Sequence, residues 1–283
     1  MTASLPDDVL AALARADSIT VLTGAGMSAQ SGIPTFRDAQ TGLWSRFDPA
    51  DLASHAAFVR DPDLVWGWYR RRAALAARAE PNAGHLAVAR WQRHAEDRGA
   101  RLTIATQNVD DLHERAGAVV AAHVHGSLTA VRCSICEAPY HGPLDDVDVD
   151  DADADADATI TAGEAGTADT EDDIRVPPPS CAECGSPVRP DIVWFGEELP
   201  EDAWRAAESA AEDADVVLVI GTSGVVYPFA GLPALARSAG ALVVEIDPAE
   251  TAVSDMAHHH LRGGAADVLP ALLQSVLDQG DPR

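Results

Sequence analysis

The sequence predicts a doubly wound α/β protein, a parallel sheet with helices on both faces, interrupted by two insertions. Three observations carry this. Four runs, Ser18–Thr23, Leu102–Gln107, Val216–Thr222 and Leu242–Asp247, are nearly continuous in apolar residues, as strands covered on both faces are. Helix-like segments alternate with them. Two stretches, 38–80 and 127–189, break the alternation with compositions of their own.

In chain order, a helix over Asp7–Ala16 leads into the first strand, which runs into a glycine-rich loop from Gly24. Residues 38–80 are rich in tryptophan and arginine (Trp44, Trp66, Trp68) and read as helical, with Asp61-Pro62 starting a helix. A helix over His85–Asp97 precedes the second strand. Residues 127–189 hold every cysteine and enclose the low-complexity run DDVDVDDADADADA, which has no periodic apolar face and is expected to be a disordered, solvated loop. Helices over Glu201–Ala211, Ala230–Ala239 and Ala266–Leu277 flank the last two strands. Ligands of such sheets sit beyond the carboxyl ends of the strands.

Composition narrows the functional classes. The chain has 283 residues, with 20 basic and 45 acidic side chains and a formal charge of −25. That charge repels phosphate, so direct nucleic-acid binding is not expected. The apolar run Val216–Ile220 is far short of the roughly 20 residues of a membrane helix. The N-terminus carries acids where a secretion signal needs positive charge, so a cytoplasmic protein is expected. Every basic residue is arginine. Residues 145–173 hold 13 acids, yet the chain without them still carries −12. A surface acidic throughout and free of lysine fits a salt-adapted, haloarchaeal source, where about 1 M salt shortens the screening length to roughly 3 Å.

The four cysteines form two pairs, Cys133-Ser-Ile-Cys136 and Cys181-Ala-Glu-Cys184, the second followed by Gly185. Each pair offers two thiolates from one turn, and together they close a tetrahedral zinc shell with no open position, hence a structural ion. Disulfides are the alternative in an oxidising compartment, and redox-active pairs rarely come as two.

After the first strand, Gly24-Ala25-Gly26-Met27-Ser28-Ala29 satisfies the dinucleotide fingerprint with its permitted alanine. Small residues there are expected to bring backbone N–H groups and a helix N-terminus to a pyrophosphate. Arg37 is a phosphate candidate or a surface ion pair. Asp247 ends a strand where a carboxylate could bond ribose hydroxyls.

Beyond this, GAGMSAQSGIPTFR followed by Gly42-Leu43-Trp44 closely resembles the opening motif of the sirtuins, NAD-dependent protein-lysine deacylases. The resemblance continues through Thr106-Gln107-Asn108-Val109-Asp110, Leu112-His113, Ala116-Gly117, His125-Gly126-Ser127, the two cysteine pairs, Val193-Trp194-Phe195-Gly196-Glu197, Gly221-Thr222-Ser223 and Tyr227-Pro228. It implies a Rossmann-like NAD domain (1–37, 81–126 and 190–283) and a small domain made of the helical insertion 38–80 and a zinc-ribbon module 127–189, with 145–173 as the acidic loop. It also implies one structural zinc, NAD as cosubstrate, and acyl-lysine proteins or peptides as partners.

The same resemblance implies the site. His125 corresponds to the general base, a role that suits an imidazole. Asn108 and Asp110 correspond to the residues that hold the nicotinamide amide and ribose and help expel nicotinamide, and Gln107 to a ribose contact. Gly24, Ala25, Gly26, Ser28, Thr35, Phe36, Arg37, Trp44, Gly221, Thr222, Ser223, Asp247 and Ala265 are implied cofactor contacts. Val193, Phe195, Gly196 and Glu197, with the Gly224–Tyr227 region, are implied to pair with the substrate backbone. His123 stands where the family more often has an acid, and His258-His259-His260 are read as surface residues. In the subgroup that removes malonyl and succinyl groups, a Tyr-x-x-Arg pair lines the acyl pocket. Tyr69 and Arg72 have that spacing, and a guanidinium can grip a carboxylate while the phenol donates a further bond; a solvated helix face with a core tyrosine is the plainer alternative. Products would be deacylated lysine, nicotinamide and O-acyl-ADP-ribose. A mono-ADP-ribosyltransferase using the same cleft and a non-catalytic NAD-sensing module are the competing readings.

Overall fold

A computed structural model describes residues 5–33, 52–144 and 175–279. The expected contacts Thr35, Phe36, Arg37 and Trp44 and the acidic run 145–173 lie outside these residues.

The four apolar runs become the centre of a six-stranded parallel sheet. β1 (Ser18–Thr23), β2 (Arg101–Thr106), β6 (Val216–Ile220) and β7 (Leu242–Asp247) are joined at the edges by β3 (Ala122–His123) and β8 (His259–Arg262), in the order β3-β2-β1-β6-β7-β8. β1 pairs in parallel with both β2 and β6. All six residues of β1 and all five of β6 are buried, so their unbroken apolar runs reflect helices on both faces. On one face α1 (Asp7–Arg15), α4 (Ala83–Asp97) and α8 (Ala265–Asp278) pack Leu13, Trp91, Leu269 and Leu272 against the sheet. On the other, α6 (Glu201–Glu212) and α7 (Leu232–Ala239) contribute Ala207, Ala211, Leu232 and Ala236, while the short α5 (Leu112–Arg115) follows β2.

The edge strands β3 and β8 were not expected, because neither has an apolar run. β8 contains two of the three consecutive histidines, which corrects their reading as surface residues. His258 is exposed, but His259 and His260 are half-buried. His259 Nε2 lies 2.8 Å from Asp8 Oδ2, His260 Nε2 meets the Asp247 carbonyl at 2.9 Å, and His258 Nδ1 accepts from the Val243 amide at 2.9 Å. The tract fastens an edge strand to the body.

A second, two-stranded antiparallel sheet pairs β4 (Gly126–Cys133) with β5 (Val188–Ile192). It shares a separate core with α2 (His55–Arg60) and α3 (Pro62–Arg78), built from Phe58, Val65, Trp68, Tyr69, Leu128, Ile192 and Trp194. α3 starts where Asp61-Pro62 predicts it: proline opens the helix and the Asp61 carboxylate accepts from the Leu64 amide at 3.1 Å. Among the described residues no helix is long and apolar enough to cross a membrane.

Candidate active site and metal centre

Parallel strands put all their carboxyl ends on one side, so the loops after β1, β2 and β6 meet there. Gly24, Gly26 and Gly221 are required for that meeting. A Cβ on Gly26 would lie 2.6 Å from the Gly221 Cα, and one on Gly221 would lie 2.4 Å from the Gly26 carbonyl carbon. Gly221 also holds a φ of +60°, where glycine carries no steric cost. The loop also has a structural role. The Gly24 amide donates to the Ile220 carbonyl at 3.0 Å and the Gly26 amide to Gly221 at 2.8 Å, so those two N–H groups are committed to joining β1 to β6. No α-helix follows. Residues Ala25–Met27 and Ala29–Ser31 form short 3-10 turns, and Gln30 of the second accepts from the Ala266 amide at 2.9 Å, capping the start of α8 beside Ala265.

Ser28 is the hub of a buried polar network. Its hydroxyl donates to Asp110 Oδ2 at 2.9 Å and accepts from Asn108 Nδ2 at 3.2 Å, with His85 Nε2 at 3.5 Å. The His85 tautomer follows from its other nitrogen: Nδ1 accepts from the Asn82 amide at 3.3 Å, so Nε2 carries the proton. Burial holds the His85 pKa down at about 4 and that of neighbouring His113 at about 3. Burial also raises the Asp110 pKa, opposed by the Leu112 amide and the Ser28 hydroxyl. The Asn108 side-chain oxygen has no partner among the described residues, as a group that receives a carboxamide N–H requires. Gln107 Nε2 donates to Thr222 Oγ1 at 2.9 Å, linking the β2 and β6 loops. Asp247, at the end of β7, is buried and accepts from the Ala249 amide at 2.9 Å. Ser223 lies in the same β6 loop, its carbonyl accepting from Ala252.

His125 stands between β3 and β4, half-buried. Burial lowers its pKa, partly countered by a bond to the Gln107 backbone, so the ring is neutral at pH 7 and fit to take a proton. Gly126 follows with φ +78°, and a Cβ there would come within 2.1 Å of the Asp191 carbonyl oxygen. The Val193 amide donates to the His125 carbonyl at 3.0 Å, and the Phe195 amide to Ala53 at 2.9 Å. The segment Val193–Glu197 therefore lies beside His125, with Phe195 exposed and Gly196 at φ +89°. His123 bonds Glu114 at 2.6 Å and the Asn108 carbonyl at 3.4 Å; it braces the Asn108 loop.

Tyr69 is buried, as both readings of the Tyr-x-x-Arg pair have it, its oxygen accepting from Trp194 Nε1 at 3.0 Å. The Arg72 guanidinium stacks 4.7 Å over Trp68 and 5.7 Å over Tyr69. Glu197 is not a free substrate contact: Arg189 Nη1 and Nη2 hold its carboxylate at 2.5 and 2.9 Å. Burial pushes the Glu197 pKa up, but the Arg189 bonds more than reverse this. Arg189 and His85 were not singled out in the sequence, and Trp194 only as part of the Val193–Glu197 motif; the available signal was a polar residue inside an otherwise apolar stretch.

Cys133, Cys136, Cys181 and Cys184 converge, their sulfurs all within 4.8 Å of one another. Cys133–Cys184 and Cys136–Cys181 sulfurs are 3.4 and 3.7 Å apart, too far for the roughly 2.05 Å of a disulfide and close to the roughly 3.8 Å edge of a zinc–thiolate tetrahedron. The Ile135, Cys136 and Glu183 amides point at these sulfurs, and Gly185 turns the second knuckle at φ +75°. The cluster is consistent with structural zinc.

Comparison with known proteins agrees with this geometry. The Sir2 family profile matches residues 24–228. An NAD-dependent protein deacylase of Methylococcus capsulatus is 50% identical over 270 residues, covering 95% of this chain and 96% of that protein. One from Mycobacterium tuberculosis is 47% identical over 256 residues, covering 90% and 96%. The crystal structure of a Sir2 homolog–NAD complex superposes with a TM-score of 0.79 at 39% identity, covering 98% of this chain and 96% of that one. A Sir2 homologue bound to 2'-O-acetyl ADP ribose also superposes at 0.79 and 39% identity, covering 97% and 98%. These bacterial relatives lend no support to a haloarchaeal source, and the halophilic reading is left resting on composition alone.

Proposed function

Because this chain belongs to the Sir2 family, we propose a division of labour among its residues for the reaction of an NAD-dependent protein deacylase. That activity, with NAD as cosubstrate and acyl-lysine proteins as substrates, follows from relatives that match nearly its whole length. NAD supplies the ribose carbon that accepts the acyl oxygen as nicotinamide leaves. Asn108 offers its open side-chain oxygen to the amide, Ser28 and His85 hold Asn108 and Asp110 in place, and Gln107 is positioned by Thr222 to meet the ribose. His125 takes the proton released when a ribose hydroxyl attacks. Gly24, Ala25, Gly26, Gly221, Thr222, Ser223, Asp247 and Ala265 form the nucleotide floor, and the edges of Val193–Gly196 and Gly224–Tyr227 receive the peptide. The division into an NAD domain and a small domain is supported by the separate core around Trp194. A cytoplasmic site of action suits this chemistry, and the charge of −25 disfavours nucleic-acid and membrane-surface partners. With no lysine the chain cannot be its own side-chain substrate.

The acyl group is the finer question, and we assign the pocket to acidic acyl groups such as succinyl and malonyl as well as acetyl. The observation that supports this is Arg72: its guanidinium stacks on two aromatic rings yet makes no ion pair or hydrogen bond with any described residue. A stacked cation left open in this way is matched to an incoming carboxylate. The test is mass spectrometry of the purified protein with NAD and matched acetyl-, malonyl- and succinyl-lysine peptides. Nicotinamide and O-acyl-ADP-ribose should appear only with acyl-lysine present; nicotinamide release without it would favour the ADP-ribosyltransferase. Arg72→Met should depress desuccinylation at least tenfold more than deacetylation, and equal losses would remove the acidic-acyl assignment.

A further inference from the structure

The phenol of Tyr69 has its accepting capacity already engaged. The Trp194 indole N–H donates to it at 3.0 Å, and both rings are buried, with centroids 6.2 Å apart. A phenol that accepts from an indole directs its own proton elsewhere, and no described residue accepts that proton. Burial raises the Tyr69 pKa, so the donor stays protonated. Trp194 is fixed in turn. Its backbone N–H donates to Glu197 Oε2 at 2.9 Å, Arg189 grips the same carboxylate, and the Arg189 guanidinium lies 3.4 Å over the indole. Phe58 closes the other contact, its centroid 5.3 Å from Trp194.

We infer that Trp194 is a specificity-determining residue for acidic acyl groups: it acts through Tyr69, aiming the phenol O–H to act beside the Arg72 guanidinium on an acyl carboxylate. This rests on the acidic-acyl assignment above. It also gives Glu197 and Arg189 a role as the clamp that orients Trp194. An acetyl group has no carboxylate for the phenol or the guanidinium to bind, so the alignment matters to it far less. The inference separates the Trp194 indole, which reaches the acyl pocket only through Tyr69, from the pair that would grip the acyl carboxylate.

The test compares the wild type, Trp194→Phe, Tyr69→Phe and the double variant. Each is assayed for kcat/KM on succinyl- and acetyl-lysine forms of one peptide at saturating NAD. Phenylalanine keeps one aromatic ring but removes the N–H together with part of the buried indole, so the acetyl assay of the same variant registers the lost packing and the succinyl-to-acetyl ratio isolates the N–H. Trp194→Phe should lower the succinyl-to-acetyl ratio about five- to tenfold, the size of one hydrogen bond, with the change in KM for the succinyl peptide rather than in kcat. The double variant should show no lower a ratio than Tyr69→Phe alone. An unchanged ratio in Trp194→Phe, or a further drop on the Tyr69→Phe background, overturns the inference. A wild type that does not process succinyl-lysine instead defeats the acidic-acyl assignment, and with it this one. Should Trp194→Phe not fold, the wild type decides: the indole N–H resonance displaced by Tyr69→Phe should move with the succinyl peptide and not with the acetyl peptide, and equal responses overturn the proposal.

Discussion

The imidazoles of this site differ in what burial does to them. His125 is half-buried and its pKa lies below the usual 6.5, so the base form persists as pH falls from 7. The acid limb of kcat/KM should therefore break below pH 6.5; a break above it would show that another group limits the reaction. His125→Ala should cost 10²–10⁴ in kcat/KM, the usual worth of a positioned base. His85 and His113 are deeper, near 4 and 3, and neutral in the fold. Their folded pKa values lie below the unfolded value, so the unfolded chain binds more protons once pH drops under about 6.5. Stability is then full above 6.5 and lost as pH falls from there toward 4 and 3. His113→Gln should flatten ΔG of unfolding against pH by about one proton, roughly 1.4 kcal/mol per pH unit between 6 and 4. Denaturant titrations across that range measure it. His125 was legible because Gly-Ser follows it at the matching place, whereas His85 was hidden, since a buried histidine in a helix carries no local mark of the Ser28 it meets 57 positions away.

At the scale of elements, the glycine-rich loop is a joint before it is a cradle. Its two committed amides tie β1 to β6, and its second turn caps α8 through Gln30. Gly26→Ala would push a methyl group to 2.6 Å from the Gly221 backbone, and neither backbone can retreat without parting two central strands. Expected is a loss of about 2–4 kcal/mol in stability, typical of overpacking and backbone strain combined, together with a raised KM for NAD. An alanine variant of wild-type stability would mean the loops separate more easily than their spacing implies. The central strands could be read from sequence because two-sided burial writes itself as unbroken Val, Ile and Leu. β3 and β8 could not, because an edge strand needs only one covered side, and here its residues bond through histidine. The boundary of α3 was legible because Asp61-Pro62 is a complete local signal, needing no tertiary partner.

For the whole molecule, the question is why a four-cysteine cluster with no open ligand position is part of the fold. Cys133 ends β4 and pairs in register with Val188, the first residue of β5. Arg189 comes next, gripping Glu197 and covering Trp194, and His125 lies just before β4 with its carbonyl held by Val193. Thus the sheet that the cysteines staple also positions the substrate edge and the base. The α/β core of Leu13, Trp91, Leu218 and Leu272 shares no side chains with that of Phe58, Tyr69 and Trp194. Loss of the ion should then loosen one half and spare the other. Purified protein should release about one zinc per chain when its thiolates are titrated with a mercurial. Deacylase activity should fall with zinc release, because a structural zinc site contributes directly to folding. Calorimetry of the metal-free form should still show a cooperative transition for the α/β half, with the remaining enthalpy missing. If activity survived full removal, β4 and β5 would be held by the aromatic core alone, and the link from the cysteine cluster to His125 would carry no energy.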